Sequence, residues 1–193
     1  MEAFILAGGQ SRRFGENKAL FKLNGKRVIE RIVETARAVC PDVYVVVKDK
    51  KAFESLKLPL VEDLYSVQSP IVGIYTALEV SRGGNVLILS ADIPLIKRDV
   101  LRILMDSYRE PVTVFKIGDR VHPLIGIYSK TLKGTLKEYI ESGHRSVMGF
   151  LERTGFNAIE QEAVMRVDPE LDSFLNMNTK EDLKELMEKT GWT

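Results

Sequence analysis

The sequence predicts an α/β protein with a mostly parallel central sheet and helices on both faces. Three observations carry that expectation. Short apolar runs alternate with longer amphipathic segments. The run 43–47 is almost purely β-branched and 86–89 is wholly apolar, as strands buried on both faces are. The first half of the chain follows a β-α-β-α-β rhythm, which in compact domains builds a parallel sheet.

Each element has its own signal. Residues 3–6 form a first strand that ends at Ala7-Gly8-Gly9. Apolar residues at 28, 29, 32, 33, 36 and 39 have helical spacing, and Cys40-Pro41-Asp42 stops that helix. Leu60-Val61 is a short strand before Glu62-Asp63. Residues 71–80 read as a helix halted by Gly83-Gly84, and 99–108 as another helix. The runs 112–117 and 124–128 are strand-like, separated by Gly118-Asp119-Arg120, and are either a hairpin or neighbouring strands. Residues 132–140 and 146–152 look helical, and 164–167 is a strand candidate. Thr179, with Asp182 three residues on, caps a final helix to about Lys189.

At 193 residues the chain is expected to be a single domain, 1–193, large enough to bury roughly 70% of its unfolded surface. Hydrophobic residues at 45% and charged residues at 28% predict a globular fold rather than disorder. Lys plus Arg is 28 against 27 for Asp plus Glu, a net charge of +1, which argues against nucleic-acid binding through bulk charge. Cys40 is the sole cysteine, which excludes a disulfide framework and a cysteine-rich zinc site. No apolar run approaches the roughly 20 residues that span a bilayer. The short apolar stretch at the start has no basic region before it, so a cytoplasmic protein is expected.

In open α/β sheets, ligands gather beyond the carboxyl ends of the strands. After the first strand comes Leu6-Ala-Gly-Gly-Gln-Ser-Arg-Arg-Phe-Gly15-Glu-Asn-Lys18. It is neither the dinucleotide fingerprint nor a Walker A loop. It nevertheless has the parts of a phosphate cradle. Gly8 and Gly9 let backbone N–H groups approach an anion, Ser11 adds a hydroxyl, and Arg12, Arg13 and Lys18 supply positive charge. A surface loop with solvated charges is the plain alternative.

Asp92, after 86–89, is placed to hold a divalent metal, since Mg²⁺ sites often use one or two carboxylates with water and phosphate. A turn-capping aspartate is the alternative, and Asp63 after 60–61 has the same two readings. Cys40, at a helix end, reads as a core or boundary residue. His122 before Pro123 reads as a turn residue, and His144 has no triad context.

The pattern Leu6-Ala-Gly-Gly-x-Ser-x-Arg-x-Gly15-x-x-Lys18 resembles the signature loop of nucleotidyltransferases that activate sugars, polyols and pterins. Pro70-Ile-Val-Gly73-Ile, Ala91-Asp92-Ile-Pro94, His122-Pro123 and Asn176-Met-Asn178-Thr179 narrow the resemblance to the molybdenum cofactor guanylyltransferases. It runs in order over nearly the whole chain. It implies a Rossmann-like nucleotidyltransferase fold, Mg²⁺ as cofactor, and GTP and molybdopterin as substrates. The reaction implied is transfer of GMP from GTP to the terminal phosphate of molybdopterin or its molybdenum-loaded form, releasing pyrophosphate.

By resemblance, Leu6, Ala7, Gly8 and Gly9 line the nucleotide site, with Asp63 as a further contact. Lys18 lies against the phosphates, Arg12 offsets their charge, and Asp92 is the metal-linked carboxylate. Gly73, Arg145, Asn176 and Asn178 belong to the acceptor side. Transient contact with other cofactor-biosynthesis proteins or with molybdoenzymes is also expected. Two positions depart from the family pattern. Lys48 stands where an asparagine often contacts nucleotide, and Ser69 stands where glycine often precedes the proline. A related transferase using CTP or a sugar-phosphate acceptor, and a nucleotide-binding regulator without catalysis, are the competing readings.

Overall fold

The computed structural model describes residues 1–8 and 17–193. Its core is a seven-stranded sheet of order β5-β4-β1-β6-β8-β7-β9. The strands are β1 (Glu2–Leu6), β4 (Val43–Val47), β5 (Leu60–Glu62), β6 (Asn85–Ser90), β7 (Val112–Ile117), β8 (Arg120–Ser129) and β9 (Asn157–Glu160). β5, β4, β1 and β6 are mutually parallel. β8 is antiparallel to both neighbours, and β9 pairs parallel with β7, so β8 alone runs against the rest. The expected mostly parallel sheet is therefore present.

Alternation along the strands feeds two cores. Ala3, Ile5, Leu87 and Leu89 pack on one face against α1 (Val28–Arg37) and α3 (Arg98–Asp106). Phe4, Val86 and Ile88 pack on the other against α2 (Pro70–Val80), α4 (Lys133–Glu141) and α5 (Val147–Thr154). With helices on both faces, each central strand is apolar throughout. That is why 43–47 and 86–89 show no polar alternation.

The runs 112–117 and 124–128 form a hairpin joined at Gly118-Asp119, with Ile117 opposite Arg120. Its register slips between Val114 and Phe115, because Pro123 lacks the N–H a ladder needs. The bulge is held by the Tyr128 hydroxyl, which donates to the Pro123 carbonyl at 2.6 Å. His122 is thus a buried strand residue packed edge-on against Phe174, not the turn residue expected. Neighbouring strands, not sequence spacing, decide the conformation around this proline.

The expected strand at 164–167 is also corrected. Val164 lies in the short helix α6 (Gln161–Met165), and the edge strand is β9, just before it. In β9 only Ile159 is buried, so an exposed four-residue edge leaves little apolar pattern to read. A two-stranded ribbon, β2 (Lys22–Leu23) with β3 (Lys26–Arg27), also went unpredicted. Its turn is Asn24-Gly25, both at positive φ (49° and 75°), a combination that glycine and asparagine favour. The last helix, α7 (Lys180–Thr190), starts with the expected capping box between Thr179 and Asp182. Among the described residues no helix is long and apolar enough to cross a membrane.

From β1 the chain moves outward to β4 and β5, then returns to β6 on the other side of β1. This reversal opens a crevice beyond the carboxyl ends of β1 and β6, where open α/β sheets take their ligands.

Candidate active site at the β1–β6 crevice

Two backbone bonds continue the ladders past the strand ends and set the crevice floor. Ala7 N–H donates to the Val46 carbonyl at 2.8 Å, and Ala91 N–H to the Leu6 carbonyl at 3.2 Å. Above them lies a cavity of about 300 Å³ lined by Leu6, Ala7, Gly8, Lys18, Asp63 and Asp92, with Gln68, Ser69, Pro70 and Gly73 along one wall. The structure therefore gathers Leu6, Ala7, Gly8, Lys18, Asp63 and Asp92, all expected on the nucleotide side, around one space. Gly9 and Arg12 lie outside the described residues.

Helix α2 forms the wall nearest β1. It begins at Ser69 with Pro70 in the first helical position, where a missing N–H costs nothing. A Cβ at Gly73 would sit 3.0 Å from a Leu6 methyl, so a bare α-carbon lets the helix close on the strand. Gly73 was expected on the acceptor side, but it lines the same cavity as Ala7 and Gly8.

Asp63 is placed by its N–H bond to the Val47 carbonyl at 2.9 Å, one step beyond β5. Burial pushes its carboxyl above the ordinary range, opposed by the Thr76 hydroxyl at 3.4 Å and the charge of Lys48. The Lys48 ammonium itself donates to the Ser66 carbonyl. It is thus anchored to the loop between β5 and α2 rather than standing in for a nucleotide-contacting amide.

Three chain segments meet at Lys18. Its ammonium donates to Asp92 Oδ2 at 2.8 Å and to Asn178 Oδ1 at 2.6 Å. The Lys18 and Asp92 side chains are only 18% and 14% exposed, so the pair is weakly screened. The Asp92 Oδ1 atom accepts from the Ser90 hydroxyl. The crevice thus presents a fixed ammonium beside a fixed carboxylate, in the cavity that Ala7 and Gly8 also line.

Asp92 and Ser90, with Leu124, also belong to a second cleft of about 190 Å³. Asn176, His122, Ile93 and Arg120 line it too, with Val121, Pro123 and Ile125. A third cleft of about 240 Å³ runs from Arg120 and Asn176 past Asn178 to Asp182 and Glu185. Burial and the nearby charge of Arg120 lower the His122 pKa to about 4, so the imidazole is neutral at pH 7. Asn178 reaches the main cavity through Lys18, and Asn176 lines the second and third clefts beside it.

Arg145 does not join them. Its guanidinium donates to the carbonyls of Ile140 (2.7 Å) and His144 (2.6 Å), capping the end of α4, and it lines none of the three clefts. Only its carbonyl reaches toward the site, accepting from the Ser69 hydroxyl at 3.0 Å.

Among the described residues no group of three or more His, Cys, Asp or Glu side chains gathers as a metal cage. The donor set at Asp92, one carboxylate with the Ser90 hydroxyl beside a cavity, fits a cation held mainly by water and substrate phosphates. Mg²⁺ is commonly bound in that way. Gln68, Ser90, Thr76, Leu124 and Arg120 were missed from sequence. Their only signal is adjacency to a strand end or helix start already suspected.

The model for the MobA-like NTP transferase domain matches residues 3–156. A protein of Aquifex aeolicus named "Probable molybdenum cofactor guanylyltransferase" is 41% identical, over 95% of this chain and 89% of that relative. The molybdenum cofactor guanylyltransferase of Desulfosudis oleivorans is 30% identical, over 93% of this chain and 91% of its own. Among solved structures, molybdopterin-guanine dinucleotide biosynthesis protein A of Archaeoglobus fulgidus superposes with a TM-score of 0.87, at 29% identity over 99% of each chain.

Proposed function

The chain belongs to the MobA-like NTP transferase family, and from that premise we propose that it transfers GMP from GTP to the terminal phosphate of molybdopterin. The observation that carries the reading is the Lys18 ammonium, which lines the main cavity and is held by Asn178 and by Asp92, the carboxylate that this cavity shares with the second cleft. Two substrates must meet at one phosphorus, and this is the point where two spaces meet.

The chemistry suits these residues. An oxygen of the acceptor's terminal phosphate forms a bond to the α-phosphorus of GTP, and the bond to the β-phosphate oxygen breaks. A phosphate monoester is largely dianionic at neutral pH, so pyrophosphate departs without a proton having to move. The barrier is electrostatic, one anion approaching another, and catalysis is positioning plus charge neutralisation. Lys18 offsets charge on the triphosphate, together with Arg12. Backbone groups of Ala7, Gly8 and Gly9, with Leu6 and Asp63, hold the base and ribose. Gly73 keeps α2 close enough to shape that pocket. Asn176 and Asn178 orient the acceptor, and Arg145 supports its side of the site from behind Ser69.

Asp92 would hold Mg²⁺, which when bound supplies positive charge to the phosphate oxygens. In the same reading the finished dinucleotide passes on in the cytoplasm, through transient contact with molybdoenzymes or other cofactor-biosynthesis proteins.

The test is product identity. The protein is incubated with Mg²⁺, molybdopterin and each nucleoside triphosphate in turn, and the dinucleotide is identified. GTP is expected to give the product and to bind more tightly than ATP or CTP in calorimetry. Equal affinity for GTP and CTP, or a cytosine dinucleotide, sinks the guanine assignment.

A further inference from the structure

Arg120 stands at the start of β8, next to the two-residue turn that closes the β7–β8 hairpin. Its backbone is held in register opposite Ile117, while its side chain is exposed. Among the described residues no carboxylate lies within ion-pair distance of its guanidinium, although Asp182 and Glu185 line the neighbouring cleft. Those two acids differ in availability. Asp182 is already committed to the N–H groups of Asn178 (2.7 Å) and Thr179 (2.9 Å).

The second cleft, which Arg120 lines, shares Ser90, Asp92 and Leu124 with the nucleotide cavity. Arg120 and Asp92 are its charged side chains among the described residues, His122 being neutral. Ile93, Pro123, Leu124 and Ile125 supply apolar surface, and Asn176 an amide. A space with one arginine, one amide and apolar walls, whose single carboxylate, Asp92, is already paired with the Lys18 ammonium at the edge shared with the main cavity, suits a planar heterocycle that carries a phosphate. A planar guanidinium can bind two phosphate oxygens at once and leave a third for attack.

We propose that Arg120 is a specificity-determining residue that holds the terminal phosphate of the acceptor in the second cleft. The assignment rests on the guanylyltransferase reading above and adds to it the group that recognises the acceptor's anionic end. Arg120 touches the reacting phosphate group, so its loss raises KM for the acceptor while the nucleotide side is left alone.

The experiment compares wild type with Arg120→Ala and Arg120→Lys. Initial rates are measured against molybdopterin at saturating GTP and Mg²⁺, and against GTP at saturating molybdopterin. Dephosphomolybdopterin serves as a competitive inhibitor. Arg120→Ala is expected to raise KM for molybdopterin about 10- to 100-fold, the loss of a charge-assisted pair. KM for GTP, the inhibition constant of the dephospho compound and the melting temperature should stay unchanged. Arg120→Lys, which keeps charge but not the fork, should fall between. If molybdopterin and its dephospho form weaken equally, or neither weakens, the assignment of Arg120 is overturned while the guanylyltransferase reading stands. If wild type forms no dinucleotide from GTP and molybdopterin, both fall together.

Discussion

The backbone N–H of Met177 donates to the carbonyl of Asp92 at 2.8 Å. This single bond ties the segment before the last helix to the turn beyond the central strand. Met177 is fully buried, and its neighbours Asn176 and Asn178 both line the third cleft, Asn176 lining the second cleft with Asp92 as well. The two asparagines are thus set by a core residue between them. Asn178→Ala should remove an exposed contact that positions the Lys18 ammonium, read as a drop of about tenfold in kcat/KM. Met177 still anchors the segment, so the melting temperature should barely move. A large thermal shift with little kinetic change would reassign Asn178 to structure.

Lys18 and Asp92 touch at 2.8 Å in one network, with Asn178 bonded to Lys18 and Ser90 to Asp92, so their contributions should not add. Lys18→Ala leaves the Asp92 carboxylate without its ammonium, and Asp92→Ala leaves the Lys18 ammonium without its carboxylate. Either single change should therefore remove most of what the double change removes. A double-mutant cycle on kcat/KM is expected to give a coupling energy of about 0.5–3 kcal/mol. Strict additivity would mean that the two side chains act separately.

Strands buried on both faces, helices with a clear apolar stripe and the final capping box are legible because each rests on a local pattern. The motif residues at the ends of β1 and β6 are legible for the same reason, since strand ends in this topology are where ligands gather. What was not legible depends on distant partners. Val164 reads as a strand only if the sheet it would join is unknown; Ile159 had already taken the edge position. His122 reads as a turn because the bulge that lets Pro123 sit inside β8 involves β7, not the local sequence. Arg145 is placed on the acceptor side by resemblance, and nothing local in the sequence shows that its Nη1 serves the Ile140 and His144 carbonyls. Arg120 sat in what looked like a mere separator, and only the hairpin turn brings it to the second cleft.

Asp168 offers a test by pH. It is fully buried, accepts from the Lys97 ammonium at 2.5 Å and from the Ser173 N–H at 2.8 Å. Burial opposes its ionisation, but the bonds from Lys97 and Ser173 outweigh that and hold its carboxyl below the ordinary range. A depressed folded pKa stabilises above the unfolded value, and that stability is lost as pH falls through the folded value. Asp168→Asn should therefore cost about 1.5–3 kcal/mol at neutral pH. The gap in melting temperature between wild type and variant should hold steady down to about pH 5 and close below about pH 4. Asp182 and Glu2 are also held below their ordinary values, but they are present in both proteins and cancel in the difference. A gap that persists unchanged at pH 3 would show that packing, not charge, makes Asp168 matter.

The charge of Asp92 can be separated from its shape. One oxygen accepts from the Ser90 hydroxyl and the other from the Lys18 ammonium. In Asp92→Asn the amide oxygen can keep Lys18 while the amide N–H donates to Ser90, whose hydroxyl is able to accept instead. The bond from Met177 runs to the backbone and is untouched. The turn should therefore survive, and only the negative charge is lost. If that charge holds Mg²⁺ against the triphosphate, turnover should fall by at least about 10²-fold, comparable to losing one preorganised electrostatic contact. GTP binding should weaken far less, because Leu6, Ala7, Gly8 and Asp63 still line the nucleotide cavity. Rates measured against Mg²⁺ concentration decide the matter. A variant that needs much more Mg²⁺ and stays slow supports the metal role. One that runs at near-normal rate with the same Mg²⁺ optimum leaves Asp92 as a turn residue and Lys18 as the charge that matters.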